Sequence, residues 1–544
     1  MLNYIWVALI VLGVGTALTT DLINNGSDKY RNDLPFPITI SFNDNFSELT
    51  EGKQDVKVLV SASDFNSFYE DQSKFNAITL DGNLNYSKES NTGILILNID
   101  EQVPQIWTEM AEASGHNKDL SGVVEIKERS TGNSFNAEIV FESVSFAKMQ
   151  QVTDEVIDYA GTAVIIALGL IGIMALWLGV MKIAEDAGLI KIIAKSVRPF
   201  TKRLFPDIPS DHPAISSIIM NISANMLGLG NAATPFGLKA MDEMEKINPN
   251  KGTASNSMVT FLAMNTAGLT LIPATAIAVR AASGSSNPAI IIGTSIFGAF
   301  CATIAGISAA KFLEKFYLDS WKFSSWFKKN FKFFALTLVF IAAIILFFST
   351  GLASNFSNWN SFFSMEGFKN FIEIVSKLAI PLLILLFVVY GLIKRVKVYE
   401  SFVDGAKEGF NIAVKIIPYL VAMLIAIGIF RAGGAMDWLI FILKPVTNFI
   451  GMPAEALPMA LMRPLSGSGS LGLMTDIMKV HGPDSFIGIL VSTIQGSTET
   501  TFYVLAVYFG AVNIKSTRHA VPVGLIADAA GILGALFIVK LLFS

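Results

Sequence analysis

The chain has 544 residues, 52% of them hydrophobic and only 15% charged, with a mean hydropathy of +0.53. That balance excludes a large soluble core and points to an integral membrane protein. Charge is unevenly spread. Residues 24–150 carry 10 Lys and Arg against 20 Asp and Glu, and the remainder carries 30 against 24. An acidic, soluble insert therefore interrupts a slightly basic membrane body. The single cysteine, Cys301, lies in an apolar stretch, and His116, His212, His481 and His519 are scattered without metal-ligand spacing, so neither a disulfide nor a metal site is expected. No phosphate loop, nucleophile elbow, catalytic constellation or nucleic-acid patch is present, so the chain is read as no enzyme and without a cofactor.

In chain order, residues 2–19 are apolar with no preceding Lys or Arg, which favours an uncleaved anchor over residues 1–23 rather than a signal peptide. Residues 24–150 change character. Val56–Val60, Gly93–Ile99, Val123–Lys127 and Phe135–Phe141 alternate apolar and polar residues between Gly, Asn, Asp and Ser turns, the signature of strands. With a helix expected around 103–113, this is a small β-rich or α+β domain whose acidity reads as a solvated surface. From Asp154 onward, spans are expected at 158–181, 288–311, 332–350, 371–393, 410–430 and 520–543. Between 205 and 286, and again between 450 and 515, Gly, Pro, Asn, Ser and Thr break the apolar pattern. Those pieces read as re-entrant hairpins and half-helices. Segments 187–204 and 433–450 mix apolar and basic residues at helical spacing, as interfacial helices do.

Basic clusters set the topology. Lys182 to Arg203, Lys311 to Lys332, and Lys394, Arg395 and Lys397 should be cytoplasmic, and the loop 351–369 outside, which places residues 24–150 outside the cytoplasm. The body also repeats. Arg198-Pro199 parallels Lys444-Pro445, Ile219-Met-Asn221 parallels Leu461-Met-Arg463, and Met264-Asn265-Thr266 parallels Ile494-Gln495-Gly496. The first span of one repeat runs inward and that of the other outward, so the expected fold is a polytopic α-helical membrane protein with two inverted-topology repeats. Repeat one occupies 151–314, two linking helices 315–395, and repeat two 396–544. Discontinuous helices at the interface of inverted repeats are where secondary transporters bind solute.

The polar residues in these broken stretches are the candidate site. In repeat one they are Asn221, Asn225, Asn231 and Asn265, with Pro235 expected to start a helix and Pro273 to end a half-helix. In repeat two, Ser466, Ser468 and Ser470 with Gly467 and Gly469 allow close backbone approach, and Arg463 offers a donor fork for carboxylate or phosphate. Gln495, Thr498 and Glu499 follow. Intramembrane carboxylates are functional candidates, so Glu499 and Asp528 are assigned to ion coupling, with H+ or Na+ as the ion. The competing readings are close packing by the small residues, a structural pair of Arg463 with Glu499 or Asp476, and a pair of Asp528 with Arg518. Asp242, Glu243 and Glu245 read as solvated loop charges.

At these residues a resemblance appears. The run Asn225-Met-Leu-Gly-Leu-Gly-Asn-Ala-Ala-Thr-Pro-Phe-Gly-Leu-Lys-Ala-Met241 resembles the spore maturation protein A family. The runs Arg463-Pro-Leu-Ser-Gly-Ser-Gly-Ser470, Ser492 to Tyr508 and Thr517-Arg-His-Ala520 resemble the spore maturation protein B family. Together they cover about 155–544, so the chain is similar to a fusion of the two. Both belong to the nucleoside recognition, or Gate, group, which also occurs in concentrative nucleoside transporters and ferrous-iron transporters. The resemblance implies a transport role in the bacterial cytoplasmic (inner) membrane but fixes no substrate; with Arg463 as the holder of an anionic group, the expected cargo is a small polar solute, anionic or nucleoside-like. In spore formers, the separate proteins are associated with dehydration of the spore core. The acidic domain departs from both families and points to a general envelope function. The expected partners are the bilayer, the solute, envelope proteins or a second copy. The alternative is a non-transporting membrane scaffold that recruits partners through the external domain.

Overall fold

The computed structural model describes residues 2–42, 51–70, 77–99, 103–114, 119–129, 134–209, 211–317 and 365–543. The expected span at 332–350 and the loop at 351–364 lie outside them. The chain divides into two compact units, one of residues 3–160 and 425–442, the other of 1–2, 161–424 and 443–544.

The first unit opens with helix α1 (Leu2–Gly26), followed by β1 (Phe36–Phe42), β2 (Gly52–Val60), α2 (Ala62–Tyr69), β3 (Ile78–Ser87), β4 (Thr92–Asn98), α3 (Gln105–Ala113), β5 (Asp119–Arg129) and β6 (Ser134–Phe141). The four alternating stretches fall in β2, β4, β5 and β6. The reading missed β1 and β3, whose Pro37 and run of Asp81, Gly82, Asn83 and Asn85 mask the alternation. The six strands pair antiparallel in sequence order and β6 returns to β1, closing a barrel. Closure removes the exposed edges that would otherwise pair with other chains. Alternate residues point inward, so Ile38, Ile40, Val56, Val58, Leu95, Leu97 and Ile139 fill the interior. Phe36, Phe65 and Trp107 meet edge to face, with Phe36 and Trp107 centroids 5.6 Å apart. Trp107 Nε1 donates to Tyr69 Oη at 3.1 Å. Burial pushes the Tyr69 phenol well above its ordinary range, and Tyr30 is raised by burial and by Glu109.

Two polar clasps fix the barrel's exit. Asn32 exchanges two hydrogen bonds with the backbone of Val144, at 2.8 and 2.9 Å. The buried Asp21 carboxylate of α1 accepts from Lys148 N at 2.9 Å and Met149 N at 2.8 Å, which are orphan donors of the first turn of the next helix, α4 (Ala147–Asp186). An anion there satisfies free N–H groups and the positive end of the helix dipole.

The remaining elements, in the second unit apart from residues 147–160 and 425–442, follow one order twice. After α4 come α5 (Leu189–Leu204), α6 (Pro213–Met226), α7 (Gly230–Lys246), α8 (Asn256–Ala267), α9 (Ala274–Ala282) and α10 (Ile291–Leu313). Helix α11 (Met365–Ile393) intervenes. Then come α12 (Val398–Ala432), α13 (Ala435–Ile450), α14 (Leu457–Met462), α15 (Gly467–His481), α16 (Phe486–Ser497), α17 (Thr501–Ala511) and α18 (Ala520–Phe543). Each series has a long apolar helix, an amphipathic helix, two short-helix pairs and a final apolar helix.

Among the described residues, five helices are long and apolar enough to cross a membrane: Asn3–Gly26, Ala147–Asp186, Pro288–Leu313, Val398–Ala432 and Ala520–Phe543. The chain is a multi-pass membrane protein. Its long helices approach through small residues, as membrane helices do. Gly405 and Gly409 of α12 lie against the backbone of Leu178 and Met174 in α4.

Candidate functional site

The site is built from two interruptions of helical backbone. One is the stretch 268–273 between α8 and α9, and the other is 498–500 between α16 and α17. Each breaks an apolar run with residues that do not favour continued helix. Gly268 takes a left-handed φ of 56° and Pro273 caps α9. Thr498 and Thr500 are extended. The interruptions meet, since Glu499 N donates to Thr266 O at 2.8 Å. Each is also tied to the end of an earlier helix. Leu271 N donates to Met226 O at 2.8 Å, and Phe502 N to Pro464 O at 3.2 Å. Backbone groups freed by the breaks thus find partners inside the protein, the condition for irregular backbone at membrane depth.

Arg463, following α14, is only 3% exposed. Its Nη1 donates to Thr500 Oγ1 at 3.1 Å and its Nη2 to Thr498 O, and Nη2 lies 3.5 Å from Glu499 Oε2. A buried guanidinium is tolerable only when paired and hydrogen-bonded, and Arg463 clamps the second interruption by meeting both conditions. The Glu499 side chain is 54% exposed, so the carboxylate, rather than the arginine, is open to an arriving solute or ion.

In the first series the corresponding tie is neutral. Asn225 Nδ2 donates to Asn265 Oδ1 at 3.0 Å. Asn221 Nδ2 donates to Ala233 O at 2.8 Å and to Tyr508 Oη of α17 at 3.2 Å, and Tyr508 Oη donates to Asn265 Oδ1 at 3.3 Å. Tyr508 thus reaches from the second series into the first. Arg280 of α9 reaches the other way. Its Nη1 donates to Pro483 O at 2.6 Å and to Ser492 Oγ at 3.0 Å, and its Nη2 pairs with Asp484 at 2.7 Å. Helix contacts are reciprocal as well. Helix α10 packs on α16 as α18 packs on α8, and α9 packs on α15 as α17 packs on α7.

A cavity of about 380 Å³ opens at this crossing. Asn225, Arg463, Ser468, Gln495, Thr498 and Glu499 line it, with Gly467, Ser468 and Ala274–Ala276 presenting the N-terminal turns of α15 and α9. Free N–H groups and the positive dipole ends favour an anionic or electron-rich group on that side. Three further charged residues line the cavity: Lys182 and Glu185 of α4 and Glu408 of α12. Sequence reasoning did not place them in the site. Lys182, which pairs with Glu185 at 3.1 Å and Asp186 at 3.3 Å, was absorbed into a topology-setting cluster. Spacing carried the missed signal, since Met174, Leu178 and Lys182 recur every four residues, as do Glu408, Ile412 and Ile416, one face of a helix.

The other predicted residues sit around the cavity rather than in its wall. Asn221 and Asn265 are buried in the Tyr508 network. Ser466 caps α15 by accepting from Gly469 N at 3.0 Å, and Ser470 donates to Gly467 O at 2.9 Å. The backbone of Asn231 lies in the first turn of α7, and its side chain is outside the described residues.

Some expectations are corrected. Helix α7 starts at Gly230, five residues before the expected Pro235, which lies inside it, because the left-handed Gly228 makes the turn. Pro273 begins α9 instead of ending a helix, since its missing N–H costs nothing at a cap. Asp528 accepts from Thr501 Oγ1 at 2.5 Å, whereas Arg518 is held by Ala254 O and Asn256. Asp242 and Glu243 are on helix α7, paired with Lys246 at 2.8 and 2.9 Å, and Glu245 ends that helix accepting from Asn248 at 2.7 Å.

Comparison with known proteins places this geometry. The family described as Gate, nucleoside recognition, matches residues 167–282 and 413–515. Spore maturation protein B of Bacillus subtilis (strain 168) is 56% identical over 164 residues, 30% of this chain and 92% of that protein. Spore maturation protein A of the same organism is 50% identical over 169 residues, 31% of this chain and 85% of that protein. The chain belongs to the spore maturation protein family, with a Gate nucleoside-recognition domain. Inner membrane protein YjiG of Escherichia coli (strain K12) is 32% identical over 84 residues, 15% of this chain and 55% of that protein. No solved structure matches the chain. The two Gate stretches begin inside α4 and α12 and end at the last residue of α9 and just beyond α17. Each therefore contains one complete interruption, and matches to two separate spore maturation proteins are consistent with a fusion of both in one polypeptide.

Proposed function

We propose that the protein is a secondary transporter that moves a small polar solute, anionic or nucleoside-like, across the bacterial cytoplasmic membrane. The observation that carries this reading is the cavity at the meeting of the two interruptions, where helix N-termini, a clamped arginine and an accessible carboxylate face one space. The two series act as inverted-topology repeats. Two lines of support are the reciprocal packing of α8, α9 and α10 with α16, α17 and α18, and basic clusters after the first span of one series and before the first span of the other. Rocking of one series against the other would expose the cavity to each side in turn. Solute binds with its electron-rich group toward the N-termini of α9 and α15, and Glu499 carries the coupling charge. The same loop charges support a position of the acidic barrel outside the cytoplasm. The names of the relatives support spore maturation as the setting in which the solute moves.

The test is flux in proteoliposomes with a panel of labelled solutes, starting with nucleosides and small carboxylates. Glu499→Gln should abolish the dependence of uptake on a pH or sodium gradient and slow uptake at least about tenfold, the scale of losing one charge interaction of about 1.4 kcal/mol. Unchanged flux and gradient dependence in Glu499→Gln would remove the coupling role.

A further inference from the structure

Three buried oxygens next to this cavity have no hydrogen-bond partner among the described residues: Thr266 Oγ1, Thr498 Oγ1 and Asp528 Oδ1. Their residues are 0%, 2% and 1% exposed. Contacts of their residues and of neighbouring residues bring them to one junction of helices. Glu499 N bonds Thr266 O at 2.8 Å, which sets Thr266 beside the second interruption. Thr498 packs its methyl group against Gly531 of α18, with Ser497 O at the same glycine. Thr501 packs against Gly524 and donates to Asp528 Oδ2 at 2.5 Å. The stretch 497–501 therefore runs along one face of α18 from Gly531 to Gly524, with Asp528 between them.

The electrostatics of this corner ask for a cation. Helices α8 and α16 both end here, so two sets of terminal carbonyls and two negative dipole ends converge. With Asp528 ionised, Arg463 balances only one of the two carboxylates at this corner, Glu499 and Asp528. Unwound carbonyls and half-helix C-termini are the donor set that transporters use for Na+ or H+. Hydroxyl, carbonyl and single-carboxylate oxygens suit a hard monovalent ion, whereas calcium takes six to eight oxygens, commonly from several carboxylates.

We propose that Thr266 Oγ1, Thr498 Oγ1 and Asp528 Oδ1 hold one monovalent cation of sodium's class at the junction of α8, α16 and α18. The site deepens the transport reading, on which its part in coupling rests, by adding an ion bound at Asp528 to the coupling charge carried by Glu499. Its occupancy does not require that reading to be right.

The experiment uses the full chain in phosphatidylcholine nanodiscs with no solute added. Retention of 22Na+ is measured, together with the melting temperature in sodium chloride and in choline chloride at equal ionic strength. The expected result is saturable retention of one ion per chain and a higher melting temperature in sodium, since a ligand bound only by the native state stabilises it. Asp528→Asn should lose both effects. Thr266→Val and Thr498→Val keep the side-chain shape and should each weaken sodium binding on the order of tenfold or more. They carry the test if Asp528→Asn does not fold. Absence of retained 22Na+ in the wild type with equal melting temperatures in both salts would overturn the site, as would unchanged affinity in both threonine variants. Sodium binding without any solute flux leaves the site standing and sinks the transport reading. Flux that is indifferent to sodium, in a protein that retains none, does the reverse.

Discussion

Gly268 carries two constraints at once. Its φ of 56° is left-handed, and a Cβ at that position would come within 2.8 Å of Glu499 Cγ. Gly268→Ala should therefore cost about 1–2 kcal/mol from the backbone alone and also displace the Glu499 carboxylate. A lowered melting temperature together with impaired flux is the expected outcome, and a change in stability alone would show that the Glu499 position is not critical. Asp21 makes a simpler argument. Its carboxylate bonds two N–H groups at the start of α4, so Asp21→Ala should cost about 1 kcal/mol, up to about 2, measured as a shift in thermal unfolding with the cavity's chemistry untouched. Residues of the site were legible in the sequence where a polar group interrupts an apolar run, as at Arg463, Asn225, Gln495 and Glu499. Lys182, Glu185 and Glu408 were not, because charges near the end of a long apolar helix read as topology signals. Only the folded chain shows that they line the cavity.

Among the elements, the Arg280 contact links α9 to the turn between α15 and α16. The Arg280 side chain is fully buried and the Asp484 side chain 40% exposed, so the two partners are not equivalent. Asp484→Ala strands a buried cation and should cost on the order of 3 kcal/mol, whereas Arg280→Met leaves a carboxylate that can turn to water. A larger fall in melting temperature for Asp484→Ala than for Arg280→Met is expected, and the opposite order would contradict this account. The barrel responds to alkali. Burial holds the Tyr69 phenol above its ordinary pKa, so the neutral form is favoured in the folded state. That stability is fully present below about pH 10, the unfolded value, and is lost as pH rises toward the folded one. Tyr69→Phe should be less stable at neutral pH, because Trp107 Nε1 loses its acceptor, yet should lose less stability between pH 8 and 11 in near-ultraviolet circular dichroism melts. The strands of β2, β4, β5 and β6 were legible from alternation. Closure into a barrel was not, because the pairing of β1 with β6 joins residues about a hundred positions apart.

Across the whole molecule, the order of elements repeats and the packing between the two series is reciprocal, and this supports the transport reading that the cavity carries. The repeat is visible in sequence as a few co-linear residues, Asn221 with Arg463 and Asn265 with Gln495 among them. The way each series inserts a side chain into the other, Tyr508 in one direction and Arg280 in the other, is not, because partners more than 200 residues apart leave no local signature. The scaffold alternative also belongs at this scale. Deleting the barrel would abolish a scaffold's function while leaving a transporter's flux intact.

Alternating access requires that the cavity be reached from both sides of the membrane. The chain has a single native cysteine, Cys301, so a Cys301→Ala background with Ser468→Cys places one thiol in the cavity wall. Labelling it with a membrane-impermeant thiol reagent in right-side-out and inside-out vesicles needs no knowledge of the solute. Modification of Ser468→Cys is expected from both sides, with the balance between sides shifted by sodium. Modification from one side only, under every condition, would contradict alternating access.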